Sequence, residues 1–369
     1  MIKPDLYIGL MSGTSADGID LALVDFESGT PKVIASHFQA YTPEIQKKIT
    51  SLYTPNANEI DQAFALDKEL AHLFANAIKS FLQDQNLDST DIIAIGNHGQ
   101  TIRHRPVQRH PFTLQIGCSQ TLATLTNIRV IGEFRKKDIA LGGQGAPLVP
   151  AFHKAMFKQN DKDVFVVNIG GIANITYLPS SVHKTITGFD TGPGNALLDD
   201  WFQLHNQGRF DKEGNWASEG SICEPLLNAL LEDNYFGLPA PKSTGREAFN
   251  LDWLSPFLAS FKLSANDCQT TLSALTAHSI ADQISALSSE SNILLCGGGS
   301  HNKTLVNQII KLLPSHEVAT IDKHNITGDN LESVAFAWLA YAYDKKINGN
   351  ISAVTGATKE TVLGNSFLP

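Results

Sequence analysis

The amino-acid sequence predicts an α/β protein built from two similar lobes, on three observations. Short apolar runs that suit strands alternate with longer segments of helical periodicity. A plan of strand, glycine-containing turn and strand occurs near the N-terminus and again after residue 163. The chain has 369 residues, 42% of them apolar, which is enough to fill two cores.

The first lobe is predicted to open with two strands, at residues 7–11 and 19–26, joined by a polar turn. Apolar residues at helical spacing from 61 to 83 predict a long amphipathic helix. The β-branched run 92–95 then ends beside residues 97–100. Such strand ends are where α/β sheets present ligand-binding side chains.

The second half begins after a loop rich in glycine at residues 142–147. Predicted strands at 163–169 and 172–178 flank Gly170 and Gly171, which repeats the N-terminal plan. Two lobes with this plan would place both turns against one nucleotide. An ordinary pair of unrelated hairpins is the alternative, and the spacing alone leaves it open.

Three further elements follow towards the C-terminus. A strand at 292–296 leads through a turn of three glycines into a helix at 302–313. A helix from 331 to about 345 is apolar nearly all round, so we expect it to be buried between other elements.

Composition and charge exclude several classes of protein. The formal net charge of −9 is unsuited to nucleic acid or an anionic membrane, because both require clustered Lys and Arg. The four cysteines lie far apart, which predicts neither a zinc site nor a disulfide framework. No apolar stretch approaches the roughly 18 residues of a membrane span, and the N-terminus lacks a signal-peptide core. We therefore expect a cytoplasmic protein that acts on small molecules.

The turn from Ser12 to Asp20 consists mainly of small and hydroxyl-bearing residues. Its backbone N–H groups could approach phosphate oxygens closely, and its hydroxyls would add donors. Asp17 and Asp20 could hold a hydrated Mg²⁺, which favours one or two carboxylates. A hairpin turn without a ligand uses the same residue types, so that interpretation also stays open.

Both of the commoner nucleotide-binding signatures are missing. The turn lacks the Gly-Lys-Ser/Thr ending of a P-loop. The glycines at residues 142–145 have the wrong spacing for a dinucleotide-binding fingerprint. A nucleotide site in this chain must therefore be of another kind.

A second constellation surrounds Asp190. Gly192 and Gly194 leave the backbone bare before a helical pattern for which Asn195 is the predicted N-cap. Anions bind favourably at such a helix N-terminus. A Pro-Gly turn followed by a cap explains Pro193 and Asn195, but not so many small residues around one carboxylate. We therefore predict that Asp190 is functional.

Eight motifs resemble, in order along essentially the whole chain, those of the anhydro-N-acetylmuramic acid kinase family. They are MSGTSADGID, HGQTIRHRP, GEFRKKDIALGGQGAPLVP, NIGGIANIT, GFDTGPGN, PKSTGRE, CGGGSHN and ESVAFAWLA. The resemblance implies a two-lobe actin-like ATPase fold of the ribonuclease H-like class, with an active-site cleft between the lobes. The predicted lobes are residues 1–133 with 352–369, and residues 134–351.

The same resemblance implies a reaction. The family converts 1,6-anhydro-N-acetylmuramic acid, ATP and water into N-acetylmuramic acid 6-phosphate and ADP in peptidoglycan recycling, which implies ATP and Mg²⁺ as cofactors. A simple kinase of another amino sugar is the alternative enzyme. The alternative from another class of protein is a nucleotide-gated binding protein. Such a protein would need an extra peptide-binding domain or a polymerising surface. The sequence leaves a homodimer open.

The resemblance also implies roles for individual residues. Asp190 would be the catalytic base, and Glu332 would lie near the phosphate or metal, unless it only favours the dipole of its helix. Sugar or phosphate would contact Gln100, Arg103 and Arg135. For the two arginines, a purely structural role at the surface or in the fold is the usual alternative. The nucleotide would contact Gly13, Thr14, Ser15, Ala16, Asp17, Gly18, Ile19, Asp20, Gly170, Gly171, Gly192, Gly194, Gly297, Gly298, Gly299 and Asn302.

Two residues depart from the family pattern, and two histidines are set aside. The family usually has Leu at the position of Ala16 and often Asp at that of Glu133, which puts any role of Glu133 in doubt. His98 and His104 are expected to be hydrogen-bonded structural residues rather than catalytic bases.

Overall fold

The computed structural model describes residues 4–324, 326, 328 and 330–369. In chain order, its strands are β1 (Leu6–Ser12), β2 (Gly18–Asp25), β3 (Lys32–Ala40), β4 (Ile92–Arg105), β5 (Phe112–Ile116), β6 (Val130–Gly132), β7 (Asp163–Ile169), β8 (Ile172–Leu178), β9 (Thr187–Pro193), β10 (Ser291–Cys296), β11 (Glu317–Thr320) and β12 (Asn365–Phe367).

The α-helices, again in chain order, are α1 (Pro43–Ser51), α2 (Glu59–Asp84), α3 (Ser119–Thr126), α4 (Phe134–Ala140), α5 (Val149–Phe157), α6 (Asn195–His205), α7 (Asn215–Ser218), α8 (Glu224–Leu231), α9 (Leu251–Leu258), α10 (Ala265–Leu287), α11 (Lys303–Leu312), α12 (Leu331–Lys345) and α13 (Ser352–Thr355). The predicted α/β class is confirmed. Within the described residues, no helix combines the length and apolar character needed to cross a membrane.

The chain divides into two compact units. The first comprises Met1–Met156 with Asn330–Pro369, and the second comprises Phe157–Asp329. The units differ from the predicted lobes at residues 134–156 and 330–351, which fall in the first unit. Within these ranges, α12 packs on β1, β2 and β4, and α4 packs on β5. The exact lobe boundaries stay a prediction.

The sheets of the two units share one arrangement of five strands, to which the first sheet adds two more. In the first unit the strand order is β12-β6-β4-β1-β2-β3, with β5 paired to β4. In the second unit it is β11-β10-β7-β8-β9. Each sheet contains a three-stranded antiparallel meander, β1-β2-β3 or β7-β8-β9, whose first strand also pairs in parallel with a later strand. The predicted repeat of strand, turn and strand is therefore part of a larger duplicated plan.

Helix α12 covers one face of the first sheet at very short range. A Cβ added at Gly9 would lie 1.7 Å from the Ser333 carbonyl oxygen, and one at Gly96 would lie 2.0 Å from that of Phe336. The helix therefore rests on bare backbone of β1 and β4. The opposite face of the sheet carries the main core, in which α2 contributes Leu70, Phe74, Ile78 and Phe81.

The second unit is built around α10, a 23-residue helix that is buried over most of its length. One core lies where β7, β8 and β10 pack on α10 and α11. A second core joins α6, α8 and α9 to the N-terminal half of α10. The predicted helix at 302–313 is confirmed as α11, with Asn302 as its N-cap.

We predict that Gly9→Ala lowers the free energy of unfolding by about 1–3 kcal/mol or more, because the new methyl group overlaps the α12 backbone. Denaturant unfolding measures the change. Gly237→Ala is the matched control, since the nearest atom to its added Cβ is 3.7 Å away. Equal stability of the two variants would contradict the close approach of α12.

Candidate functional site

The turn between β1 and β2 directs its carbonyl groups into the first unit. The Gly13 oxygen accepts hydrogen bonds from the Ala16 backbone N–H at 3.1 Å and from Gln100 Nε2 at 3.0 Å. The Thr14 oxygen accepts from the Tyr53 hydroxyl at 2.8 Å. These hydrogen bonds fix the orientation of the Gly13 and Thr14 carbonyls at the start of the turn.

The end of the turn is held in the same way. The Asp17 oxygen accepts from the Tyr41 backbone N–H at 2.8 Å, and the Gly18 oxygen accepts from Ser12 Oγ at 3.1 Å. The Tyr41 hydroxyl lies 2.8 Å from the same Ser12 Oγ. Four carbonyls of the turn are thus engaged by protein donors.

The orientation of these carbonyls determines what the turn can bind. In a planar trans peptide, the C=O and the following N–H point in opposite directions. With the Gly13 and Thr14 oxygens held inward, the N–H groups of Thr14 and Ser15 point away from their anchors. Within the described residues, neither N–H has a hydrogen-bond acceptor. Adjacent free N–H groups of this kind suit phosphate oxygens.

Asp17 and Asp20, the predicted Mg²⁺ ligands, lie at the end of this turn. Asp17 is exposed and accepts a hydrogen bond from Ser15 Oγ at 2.8 Å, while Asp20 lies on β2 opposite Met11. Burial, and to a smaller extent both carboxylates, raise the pKa of the nearby Tyr41 hydroxyl. The described residues contain no group of three or more metal-ligating side chains. Two carboxylates still fit Mg²⁺, which keeps several waters and uses phosphate oxygens as ligands.

Arg135 is held by an uncharged histidine. Its Nε and Nη2 donate to Nε2 of buried His98 at 3.1 and 2.9 Å, and its Nη1 donates to the Gly145 oxygen at 2.8 Å. His98 Nδ1 lies 2.8 Å from the Gly99 oxygen, so Nδ1 carries the proton. Burial and the Arg135 charge lower the pKa of His98 well below its ordinary value. His98 is therefore a structural acceptor, as expected.

Glu332 lies in the first turn of α12, whose position is set by the glycine contacts described above. The residue has an exposed surface, but the surrounding protein removes water from around its carboxyl. This desolvation raises the pKa of Glu332, and the positive charge of Arg135 opposes the rise. The two side chains are therefore electrostatically coupled. A carboxyl of this kind can remain partly protonated above the usual range of glutamate.

Gln100 and Arg103 have partners within the protein. Gln100 is fully buried beneath the β1–β2 turn. Arg103 Nη2 donates to the Leu52 oxygen at 3.1 Å and to Glu59 Oε2 at 2.9 Å, which ties β4 to the start of α2. Their assignment as sugar or phosphate ligands stays a prediction.

Asp190 lies on β9 of the second unit, opposite Asn174 and beside a register shift in the β8–β9 pairing. Such irregularities redirect side chains near functional sites. Asp190 Oδ2 accepts hydrogen bonds from Ser243 Oγ at 2.9 Å and from the Thr244 backbone N–H at 3.0 Å. Oδ1 has no partner within the described residues. One carboxylate oxygen is thus anchored while the other is free to accept a proton.

The backbone of Asp190 is fixed as well. Its N–H donates to the Lys242 oxygen at 3.0 Å, and its carbonyl accepts from the Tyr235 hydroxyl at 2.7 Å. The Lys242 ammonium in turn donates to the carbonyl oxygens of Tyr235 and Phe236. No role for Tyr235, Phe236 or Lys242 was predicted from the sequence, although the PKSTGRE motif contains Lys242 and was a signal for this region.

The glycine turn between β7 and β8 caps a helix. The Gly171 oxygen accepts from the N–H groups of Gly194 and Ala196 at 3.1 and 3.2 Å, and the Gly170 oxygen accepts from that of Asn195 at 2.7 Å. The prediction that Asn195 is the N-cap of α6 is wrong. Gly194 is the N-cap, because Asn195 Nδ2 instead donates to the Ile169 oxygen at 2.9 Å. Protein carbonyls therefore occupy much of this helix N-terminus.

The three-glycine turn after β10 packs against the same region. Gly297 has a φ of +76°, and an added Cβ would lie 2.3 Å from Asn168 Oδ1. A Cβ at Gly299 would lie 2.9 Å from Asn195 Oδ1. Asn302 caps α11 by accepting from the Leu305 N–H at 3.0 Å. The fold thus brings Gly170, Gly171, Gly194, Gly297, Gly298 and Gly299 together, and their nucleotide roles stay predictions.

Gly192 has different neighbours from these six glycines. An added Cβ would lie 2.8 Å from the Phe236 ring and 3.2 Å from Ser279 Cβ. Packing alone therefore accounts for a glycine at this position, and its contact with a nucleotide stays a prediction.

Comparisons with known proteins agree with the motifs. The family model described as anhydro-N-acetylmuramic acid kinase matches residues 5–369. The chain belongs to the anhydro-N-acetylmuramic acid kinase family. An anhydro-N-acetylmuramic acid kinase of Colwellia psychrerythraea is 56% identical over 98% of this chain and 97% of its own length. One of Saccharophagus degradans is 47% identical over the full length of both chains.

Solved structures match more distantly. A component of (R)-2-hydroxyglutaryl-CoA dehydratase from Acidaminococcus fermentans is 10% identical, with a TM-score of 0.46 over 90% of this chain and 97% of its own. A similarity of this size supports no inference about function.

In this kinase, one aspartate on α6 has a pKa above the usual value. Asp199 lies half-buried on α6, and burial raises its pKa to about 6, although the positive charge of Arg246 opposes the rise. The folded state therefore keeps a proton on Asp199 between about pH 4 and 6, where the unfolded chain has lost it. Linkage therefore requires the free energy of unfolding to fall as the pH rises from about 4 to 6, and to stay lowered at higher pH.

We predict that Asp199→Asn raises the melting temperature relative to the original protein at pH 7.5, and that the gain shrinks towards pH 4.5. The amide is neutral throughout, so it avoids burying a charge above pH 6. Thermal melts at both pH values measure the difference. Asp252→Asn is the control, because Asp252 is an exposed aspartate on α9 of the same unit. A gain in the melting temperature of Asp199→Asn that is independent of pH would contradict the raised pKa of Asp199.

Proposed function

We propose that the chain opens the 1,6-anhydro ring of 1,6-anhydro-N-acetylmuramic acid and phosphorylates O6, with ATP as phosphoryl donor and Mg²⁺ as metal. In this proposal it works in the cytoplasm, in peptidoglycan recycling. Family membership supports the kinase activity. The observation that carries the mechanism is the Asp190 carboxylate, which has one anchored and one free oxygen.

In the proposed mechanism, Asp190 Oδ1 accepts a proton from water as the water oxygen bonds to C1 of the sugar. The C1–O6 bond breaks, and its electrons remain on O6. O6 then bonds to the γ-phosphorus of ATP while the bond to the β-phosphate oxygen breaks and ADP leaves. Because the phosphoryl group captures O6, the general acid of an ordinary glycosidase is unnecessary. A single catalytic carboxylate is then sufficient.

The remaining residues take supporting roles in this proposal. The free N–H groups of Thr14 and Ser15 bind phosphate oxygens of ATP. Asp17 and Asp20 hold Mg²⁺, which when bound offsets negative charge on the phosphates. Arg135 binds the sugar or its phosphate, since its hydrogen-bond partners, His98 and the Gly145 carbonyl, are both uncharged. Glu332 acts on the phosphate or metal side.

The test of this function is the product formed from the anhydro sugar and ATP in ¹⁸O-labelled water. We expect mass spectrometry to find the label at C1 and phosphate at O6 of one molecule. A phosphorylated sugar with an intact anhydro ring and no label would overturn the proposal. That result would favour a simple amino-sugar kinase in which Asp190 deprotonates a hydroxyl.

We predict that Asp190→Asn lowers turnover by at least about 10²–10⁴-fold, because the amide keeps the size of the carboxylate but accepts no proton. Affinities for ATP and sugar should change little. Turnover, both dissociation constants and a thermal melt are measured together. Glu332→Gln is the comparison and should be less damaging, and the reverse order would mean that the two roles are exchanged.

A further inference from the structure

We infer that Gln100 and Tyr53 are positioning residues for the β1–β2 turn rather than ligands of the sugar. They hold the carbonyls of Gly13 and Thr14 so that the next two N–H groups face a nucleotide phosphate. The inference rests on the proposed nucleotide role of this turn and adds the side chains that give the turn its shape.

Gln100 has no donor left for a ligand. Its Nε2 contacts the Gly13 oxygen at 3.0 Å, the Thr101 oxygen at 3.1 Å and the Tyr53 hydroxyl at 3.3 Å. A primary amide has only two N–H bonds to share among these acceptors. Its Oε1 accepts from Ser12 Oγ at 2.6 Å, and the residue has no exposed surface. Contact with a sugar would require breaking this arrangement.

Tyr53 continues the chain of hydrogen bonds from Gln100 to the next carbonyl. Its hydroxyl accepts from Gln100 Nε2 and donates to the Thr14 oxygen at 2.8 Å. Burial raises the pKa of Tyr53 to about 12, so the phenol keeps its proton at neutral pH. The donor to Thr14 is therefore always present.

The consequence for binding follows from peptide geometry. Rotation of either peptide unit would turn its carbonyl outward and its N–H inward, since the two groups are fixed to one plane. Gln100 and Tyr53 oppose that rotation, because it would break their hydrogen bonds. They fix the orientation of the Thr14 and Ser15 N–H groups before a ligand arrives, and preorganisation of this kind increases affinity.

Tyr53→Phe is the direct test, since it removes one hydroxyl from a side chain that is only half-buried. Loss of a single neutral hydrogen bond should weaken ADP binding and raise the KM for ATP by about 2- to 10-fold. The sugar dissociation constant and kcat at saturating ATP should change little. Calorimetry with ADP and with the sugar, steady-state kinetics and a thermal melt supply these values.

Tyr7→Phe is the matched control. It removes a hydroxyl in the same unit, one that donates to Asp344 Oδ2 at 2.9 Å rather than to a carbonyl of the turn. ADP affinity should stay unchanged in this variant. If both variants weaken ADP and sugar binding equally, or if Tyr53→Phe lowers only the melting temperature, then the role of Tyr53 is structural and the inference is overturned.

Two further variants separate this inference from the function on which it rests. Among the described residues, the nearest atom to a Cβ at Gly13 would be Ser15 Oγ, at 3.5 Å, so Gly13→Val should fold and obstruct the approach of phosphate. Gln100→Glu replaces the amide donors with an acceptor facing the Gly13 oxygen. If Gly13→Val alone weakens ADP binding, the turn binds nucleotide but the positioning role is wrong. If no variant weakens it, the turn is not the nucleotide site.

Discussion

The contact of α12 with the bare backbone of β1 and β4 is the constraint on which the first unit depends. No side chain larger than hydrogen fits at Gly9 or Gly96, so the helix sits at backbone distance from two adjacent strands. This contact fixes Glu332 at the N-terminal end of the helix. The same two strands continue into the β1–β2 turn and into His98 and Gln100. The positions of Glu332 and of the strands that carry the turn are thus linked by one helix–sheet contact.

The duplicated sheet plan gives its two equivalent turns opposite chemistry. In the β1–β2 turn, the carbonyls of Gly13 and Thr14 accept from side chains, and the N–H groups of Thr14 and Ser15 have no acceptor among the described residues. In the β7–β8 turn, the carbonyls of Gly170 and Gly171 instead accept from the start of α6. One turn therefore offers donors to a ligand, whereas the other uses its acceptors to join a helix to the sheet. Similar topology does not imply a similar function for the two turns.

The sequence predicted elements well where the signal was local. Periodicity identified α2 and α11, and the small residues marked the β1–β2 turn, because these features depend on neighbours within a few positions. Hydrogen-bond partners were harder to predict. Gln100 lies 87 residues from Gly13, and Asn195 lies 26 residues from the Ile169 carbonyl that replaces its expected capping role. Side chains that reach across the fold have no periodic signature, so an amide in a motif resembles a ligand until its partners are known.

The use of histidine to hold Arg135 has an electrostatic consequence. A carboxylate at position 98 could grip the guanidinium as firmly, but it would neutralise the cation. The neutral imidazole accepts two N–H groups without adding a negative charge, so the carboxylates that act on the cation are those of Glu332 and Asp138. His98 thus holds the guanidinium in place and contributes no charge of its own. An anion that approaches this part of the unit is therefore attracted by a cation whose hydrogen-bond partner has not neutralised it.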